Sequence, residues 1–145
     1  MVLIFPSQSS PKSLFLAYIQ EINNHVPNTP LDLSKYMQPI LLVNNKTFSL
    51  SQYEESLLVL INAAPDFKIR VQLLVVEGTT IATRFLVSCT PRSQFKGYPS
   101  NGKRIEYAEH VFYHLEGGKI SEVSALIDVE AIKRQLTVEF NTSTR

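Results

Sequence analysis

Three ionisable side chains late in the chain have the types and spacing for proton transfer. His110 and His114 sit four residues apart in EHVFYHL, and Asp128 closes the apolar run KISEVSALI. A carboxylate or imidazole in an apolar pocket is suited to moving protons at neutral pH, because burial disfavours its charged form and shifts its pKa. The surroundings read as strands, since RIEYAEHVFYHL and KISEVSALI flank Glu116-Gly117-Gly118, a hairpin signal. Strand side chains alternate between faces, so His110, Phe112 and His114 share one side while Tyr107, Glu109, Val111 and Tyr113 share the other. On the partner strand Ile120, Glu122, Ser124, Leu126 and Asp128 fall on one face. If both polar sets turn toward a pocket, His114 and Asp128 line it together.

Each of these residues also has an ordinary structural role open to it. Asp128 precedes a helix and can serve as its N-cap. His114 lies beside a hairpin end and can be solvated, and His110 can be a core histidine satisfied by backbone. His25 falls at the end of the first helix, where it favours the dipole. A shared metal ion is excluded for His110 and His114, because four residues of strand separate them by about 13 Å. Cys89 has no visible base or positive charge beside it and reads as a small buried residue rather than a nucleophile.

The elements that would position these groups follow from local signals. Ser10-Pro11 starts a helix running to about Asn24, with Leu14, Phe15, Tyr18, Ile19 and Ile22 at helical spacing. Thr29-Pro30 repeats that signal before LDLSKYM, which reads as a short second helix ending near Pro39, and Ile40 to Val43 form a short strand. Two overlapping capping boxes, Ser49 with Gln52 and Ser51 with Glu54, open a third helix that stops at Pro65. KIRVQLLVV and IATRFLVSC then make a hairpin around Gly78, and TPRSQFKGYPSNGK is a loop long enough to be functional. VEAIKRQL closes the chain as a helix, with 137–145 expected to be a frayed tail. Helices followed by an antiparallel strand run give an α+β class: a curved, mixed or antiparallel sheet forming a cup, with the N-terminal helices packed over it. Tyr18 and Tyr53 lie on apolar helix faces, as core residues or as substrate contacts in such a cup. Asn44, with Asn45, ends the first strand as a turn residue or as a polar group reaching the pocket.

Length and composition set outer limits. The 145 residues, 44% hydrophobic, suit one domain with a core over about residues 10–136. Fourteen basic and thirteen acidic residues leave a net charge of +1 without charge blocks, so neither nucleic acid nor acidic lipid is expected as a partner. A single cysteine rules out an internal disulfide framework and fits a cytoplasmic protein. MVLIF is too short for a signal-peptide core, and no segment approaches the roughly 20 apolar residues of a membrane span.

From about residue 49 to 136 the chain resembles the SnoaL-like polyketide cyclase family of the nuclear transport factor 2-like, cystatin-related cone fold. The resemblance rests on Pro65-Asp66, Glu77-Gly78, the Gly97 to Lys103 loop GYPSNGK, Gly118-Lys119-Ile120, Asp128 and Gln135-Leu136, in that order. Ser124 stands where the family often has Trp, and Cys89-Thr90-Pro91 where it often has Gly-Thr-His. The resemblance implies acid/base catalysis next to a carbonyl, with Asp128 as acid/base and His114 holding the carbonyl oxygen. His110, Phe112, Ser124, Tyr18, Asn44 and Tyr53 would line the substrate pocket, and no metal or organic cofactor is implied. The expected function is a cofactor-free cyclase or isomerase of secondary metabolism acting on a small hydrophobic, polycyclic, polyketide- or terpenoid-like substrate. The alternative is a binding module that uses the same pocket without turnover, which an exposed, capping Asp128 would favour. Tyr107, Val111 and Tyr113 would then form an apolar convex face that pairs two copies into a homodimer.

Overall fold

The computed structural model describes residues 10–137. Helix α1 spans Pro11–Asn23; Ser10 Oγ accepts from the Ser13 amide, and proline occupies the first turn. Its Phe15, Tyr18, Ile19 and Ile22 recur every three or four residues, and all are buried. Helix α2, Leu50–Ala63, opens on Ser49 with the Ser49–Gln52 box closed in both directions: Ser49 Oγ accepts from the Gln52 amide at 3.1 Å, and Gln52 Oε1 accepts from the Ser49 amide at 2.8 Å. The Ser51–Glu54 box is not used. Glu54 instead accepts from the backbone amide of Leu33, at 2.8 Å.

That bond belongs to a segment where the sequence predicts a helix and none forms. Asn28 adopts a left-handed φ of 65°, and its amide bonds Asn62 on α2. Asp32 Oδ1 accepts from the Ser34 amide, a local turn that competes with helical hydrogen bonding. Leu31, Leu33 and Met37 are buried at alternate or four-residue spacing along an irregular chain. Strand β1 consequently begins earlier than expected and spans Met37–Val43. A further strand, β2 (Lys46–Ser49), pairs with it in the stretch read as the approach to α2.

The two expected hairpins are present: β3 (Lys68–Glu77) with β4 (Thr80–Cys89), and β5 (Ile105–Glu116) with β6 (Lys119–Ile127). All strands join one curved, unclosed sheet in the order β2-β1-β6-β5-β4-β3, mixed because β1 runs parallel to β6. Helix α3, Val129–Leu136, packs on β5. Of the expected tail only Thr137 is described; its amide and hydroxyl bond the Lys133 carbonyl and close α3. Residues 138–145 lie outside the described residues. No described helix is long and apolar enough to cross a membrane.

The largest correction concerns which side of β5 faces inward. Tyr107, Val111 and Tyr113 are 2%, 1% and 3% exposed, while Phe112 is 59% exposed and His110 is open to solvent. The pleat offers two faces, and the helices cover the one that buries more apolar surface. Two tyrosines, a valine and two aliphatics outweigh two imidazoles and one phenyl ring. On β6 a register shift opposite His114 and Leu115 puts Ile120 on the inner face but Glu122, Ser124 and Leu126 on the outer one. The even-numbered residues of β6 therefore do not share a face, as strict alternation would require. Tyr107, Val111 and Tyr113 are core residues and form no dimer surface.

Candidate active site

The concave side of the sheet and helices α1 and α2 enclose a cavity of about 60 Å³. Four tyrosines line it: Tyr18 from α1, Tyr53 from α2, and Tyr107 and Tyr113 from β5. The Tyr18 and Tyr53 hydroxyls bond each other at 2.9 Å, and the Tyr18 ring meets Tyr113 edge-on at 5.9 Å. Burial pushes the Tyr53 hydroxyl up to about 12 and those of Tyr18, Tyr107 and Tyr113 well above the usual phenol value. All four remain neutral donors at physiological pH.

Two charged side chains reach this otherwise aromatic and aliphatic space, Glu109 of β5 and Lys96 of the loop between β4 and β5. Glu109 points inward because it alternates with Tyr107, Val111 and Tyr113. Burial raises its carboxyl above the ordinary carboxylate range, and the positive charge of Lys96 opposes the rise only in part. Among the described residues the carboxylate makes no side-chain hydrogen bond, and the ion pair Arg104–Glu106 lies elsewhere on the surface. A carboxylate without a side-chain partner, partly buried and facing a cavity, marks a candidate functional site.

The structure distributes the residues singled out by sequence differently. Tyr18 and Tyr53 line the cavity together. His114, Phe112 and Ser124 meet in a shallow depression on the outer face beside Glu122. His110 lies on the same face in a second depression, shared with Asp128 and Arg84, whose guanidinium is 2.7 Å from His110 Nε2. Asp128 is exposed and caps α3, its Oδ1 accepting from the Ala131 amide at 3.0 Å. Asn44 takes a left-handed φ of 47° and ties β1 to β6 through its Oδ1 on the Ala125 amide. His110, Phe112, His114, Ser124, Asn44 and Asp128 thus stand outside the cone, and the expectation that they line it is corrected. Cys89 is fully buried and its thiol is pushed up to about 12 by burial, as suits a packing residue. No cluster of three or more His, Cys, Asp or Glu suited to a metal occurs among the described residues.

Glu109 and Lys96 escaped the sequence reading. For Glu109 the signal was present: a carboxylate in register with the most apolar face of the longest strand. Lys96 carried none beyond its place before a glycine.

A curved, unclosed sheet with helices packed over it is the cone of the nuclear transport factor 2-like fold. The profile described as SnoaL-like polyketide cyclase matches residues 17–136, and the chain belongs to that family. A SnoaL-like polyketide cyclase from Agrobacterium tumefaciens is 33% identical, with a TM-score of 0.78 over 88% of this chain and 98% of that one. AclR from Streptomyces galilaeus, a suggested hydroxylase, shares the fold at 21% identity and a TM-score of 0.73 over 90% of this chain and 97% of its own. TsrD from Streptomyces laurentii does so at 17% identity and a TM-score of 0.76, over 87% and 96%. No functionally curated protein matches significantly.

The raised Glu109 carboxyl has a stability consequence whose sign is fixed. The unfolded chain ionises this group more readily than the folded one, so its charge costs stability. The cost is absent below the unfolded pKa of about 4.3, grows as pH rises from there to the folded value, and levels off above it. Glu109→Gln is therefore expected to raise the thermal midpoint near neutral pH, with the gain fading toward about pH 4. A lower midpoint at neutral pH would mean that the carboxylate is held by favourable partners. Thermal melts across pH decide between them.

Proposed function

We propose that the chain is a cofactor-free cyclase or isomerase of secondary metabolism that works next to a carbonyl, with Glu109 rather than Asp128 moving the proton. The observation that carries this reading is a carboxylate without a side-chain partner, partly buried among the residues lining the cone. Glu109 would take a proton from the carbon beside the carbonyl. The electron pair would move onto the carbonyl oxygen, held there by a tyrosine hydroxyl of the Tyr18–Tyr53 pair. The enol formed would then close a ring onto a second carbonyl or be reprotonated at a different carbon by the same carboxyl. Burial helps in both directions, making the carboxylate a stronger base and the acid persistent at higher pH.

The cavity bears on the substrate. Ligand pockets usually measure about 300–1,000 Å³, whereas this one holds about 60 Å³. A compact ketone suits the cone as it stands, and a polycyclic polyketide would require the helices or the β4–β5 loop to move aside. The same small volume, with the exposed capping role of Asp128, favours the second reading, a binding module without turnover. Exchange of α-carbon hydrogen for deuterium in a small ketone such as cyclopentanone, followed by NMR, separates the two. The acid/base reading expects Glu109→Gln to slow exchange by about 10²- to 10⁴-fold. Equal, uncatalysed exchange with both proteins would leave only the binder.

We also propose that the outer sheet face pairs two copies of the chain. Leu73, Val75, Phe112 and Leu126 stand exposed there on neighbouring or nearly neighbouring strands, Leu126 by 75%. Together with Ala82 and the stems of Arg84 and His110 they line an apolar groove and its flank. An isologous pairing would cover this set in both copies at once. Phe112→Glu combined with Leu126→Glu is expected to halve the mass seen by sedimentation equilibrium while leaving the fold intact. A wild-type protein that sediments as a monomer would refute the pairing.

A further inference from the structure

Lys96 is held at the cavity by a built turn. The Phe95 and Tyr98 amides each bond the other's carbonyl, at 2.8 and 2.9 Å, so Lys96 and Gly97 form a two-residue tip. Both tip residues adopt left-handed φ, 48° and 88°. Glycine takes this conformation freely, whereas for lysine it costs about 1 kcal/mol or more. Phe95 anchors the turn: it is fully buried, with its ring 6.2 Å from that of Tyr107. The strained residue is thereby fixed with its side chain lining the cone alongside Glu109.

A lysine with a purely structural role is normally solvated or ion-paired. Lys96 is partly buried, and among the described residues no carboxylate stands within ion-pair distance of it. Burial lowers its ammonium from the ordinary lysine value, with Glu109 opposing. An amine held at a cavity with its ammonium lowered by burial is a candidate nucleophile toward carbonyl carbon.

We propose that Lys96 Nζ condenses with the substrate's carbonyl carbon to form an imine, with Glu109 as its proton partner. The nitrogen lone pair makes the C–N bond, and a proton passes from nitrogen to oxygen to give the carbinolamine. Glu109 then donates a proton to that hydroxyl, which leaves as water and yields the protonated imine and a Glu109 carboxylate. The carboxylate removes the neighbouring carbon-bound proton, leaving a neutral enamine and a protonated Glu109. Ketone and amine have become enamine and water, with Glu109 returned to its starting state. The iminium takes up the electron pair that a carbonyl oxygen would otherwise carry, which accounts for an amine and a carboxyl sharing one cavity.

This proposal rests on the acid/base reading of Glu109 and is tested beside it. Wild-type protein is incubated with acetone, sodium borohydride is added to reduce any imine, and the modified lysines are located by peptide mass mapping. Lys103, exposed in the same loop, is the internal reference. Lys96 should be isopropylated at least about tenfold faster than Lys103, equivalent to about 1.4 kcal/mol of barrier. Lys96→Arg, which keeps the charge but forms no imine, should abolish that label and the α-carbon exchange, with folding verified by its melting curve. Labelling at Lys96 no faster than at Lys103 overturns the proposal. Glu109-dependent exchange without trapping would remove the imine and leave the acid/base reading, whereas loss of both signals would remove both.

Discussion

The pleat of β5 is the constraint on which the site depends. Side chains two residues apart share a face, so burying Tyr107, Val111 and Tyr113 in the core carries Glu109 inward as well. Each large apolar side chain gains roughly 1.5–3 kcal/mol from leaving water, and together they outweigh the cost of desolvating one carboxylate. Glu109 cannot turn outward unless the whole strand slips by one residue and exposes its aromatic face. The sheet thus holds a group in a position that its own hydration disfavours, and the strain appears as a carboxyl shifted above its ordinary range.

Around this strand, residues that look like chemistry serve as fasteners. Asp66 accepts from the Thr90 amide and hydroxyl at 2.6 and 2.8 Å, fixing the start of the β4–β5 loop. Gln135 bonds Glu106 through both the amide and the carbonyl of its backbone, and Asn101 bonds the Gln135 carbonyl, tying the end of the loop to α3. Asp128 starts that helix. These bonds clamp both ends of the segment carrying the Lys96 turn. Several motif residues by which the family is recognisable thus secure this loop, and Lys96 lies between them.

Much of the fold was legible in the sequence because its signals are local. Ser10-Pro11, the Ser49–Gln52 box and the Gly78 and Gly117-Gly118 turns each stabilise their element by contacts within a few residues, and each forms where expected. The helix expected over LDLSKYM failed because a distant partner, Glu54, and burial of Leu33 outweighed a cap-like Thr-Pro pair. The site was legible only in part. Alternation gives β5 two faces but does not say which one the helices cover; the sequence expectation puts the histidines inside and Tyr113 outside, and the packing reverses both. A one-residue irregularity beside His114 then broke the strict alternation of β6. Helical spacing marks the single buried face on which Tyr18 and Tyr53 lie. Lys96 reaches the cone through a turn whose two left-handed residues have no counterpart in hydrophobic periodicity.

The central claim is that Glu109 is a desolvated carboxyl facing the cone. Titration of the glutamate side-chain carboxyl carbons by carbon-detected NMR, with Glu109→Gln to assign the resonance, measures this directly. The expected result is a Glu109 midpoint clearly above the ordinary glutamate value of about 4.3 and above those of exposed Glu106 and Glu116 in the same spectrum. A midpoint at or below the ordinary value would mean a solvated or ion-paired carboxylate, and the cone would lose its acid/base group.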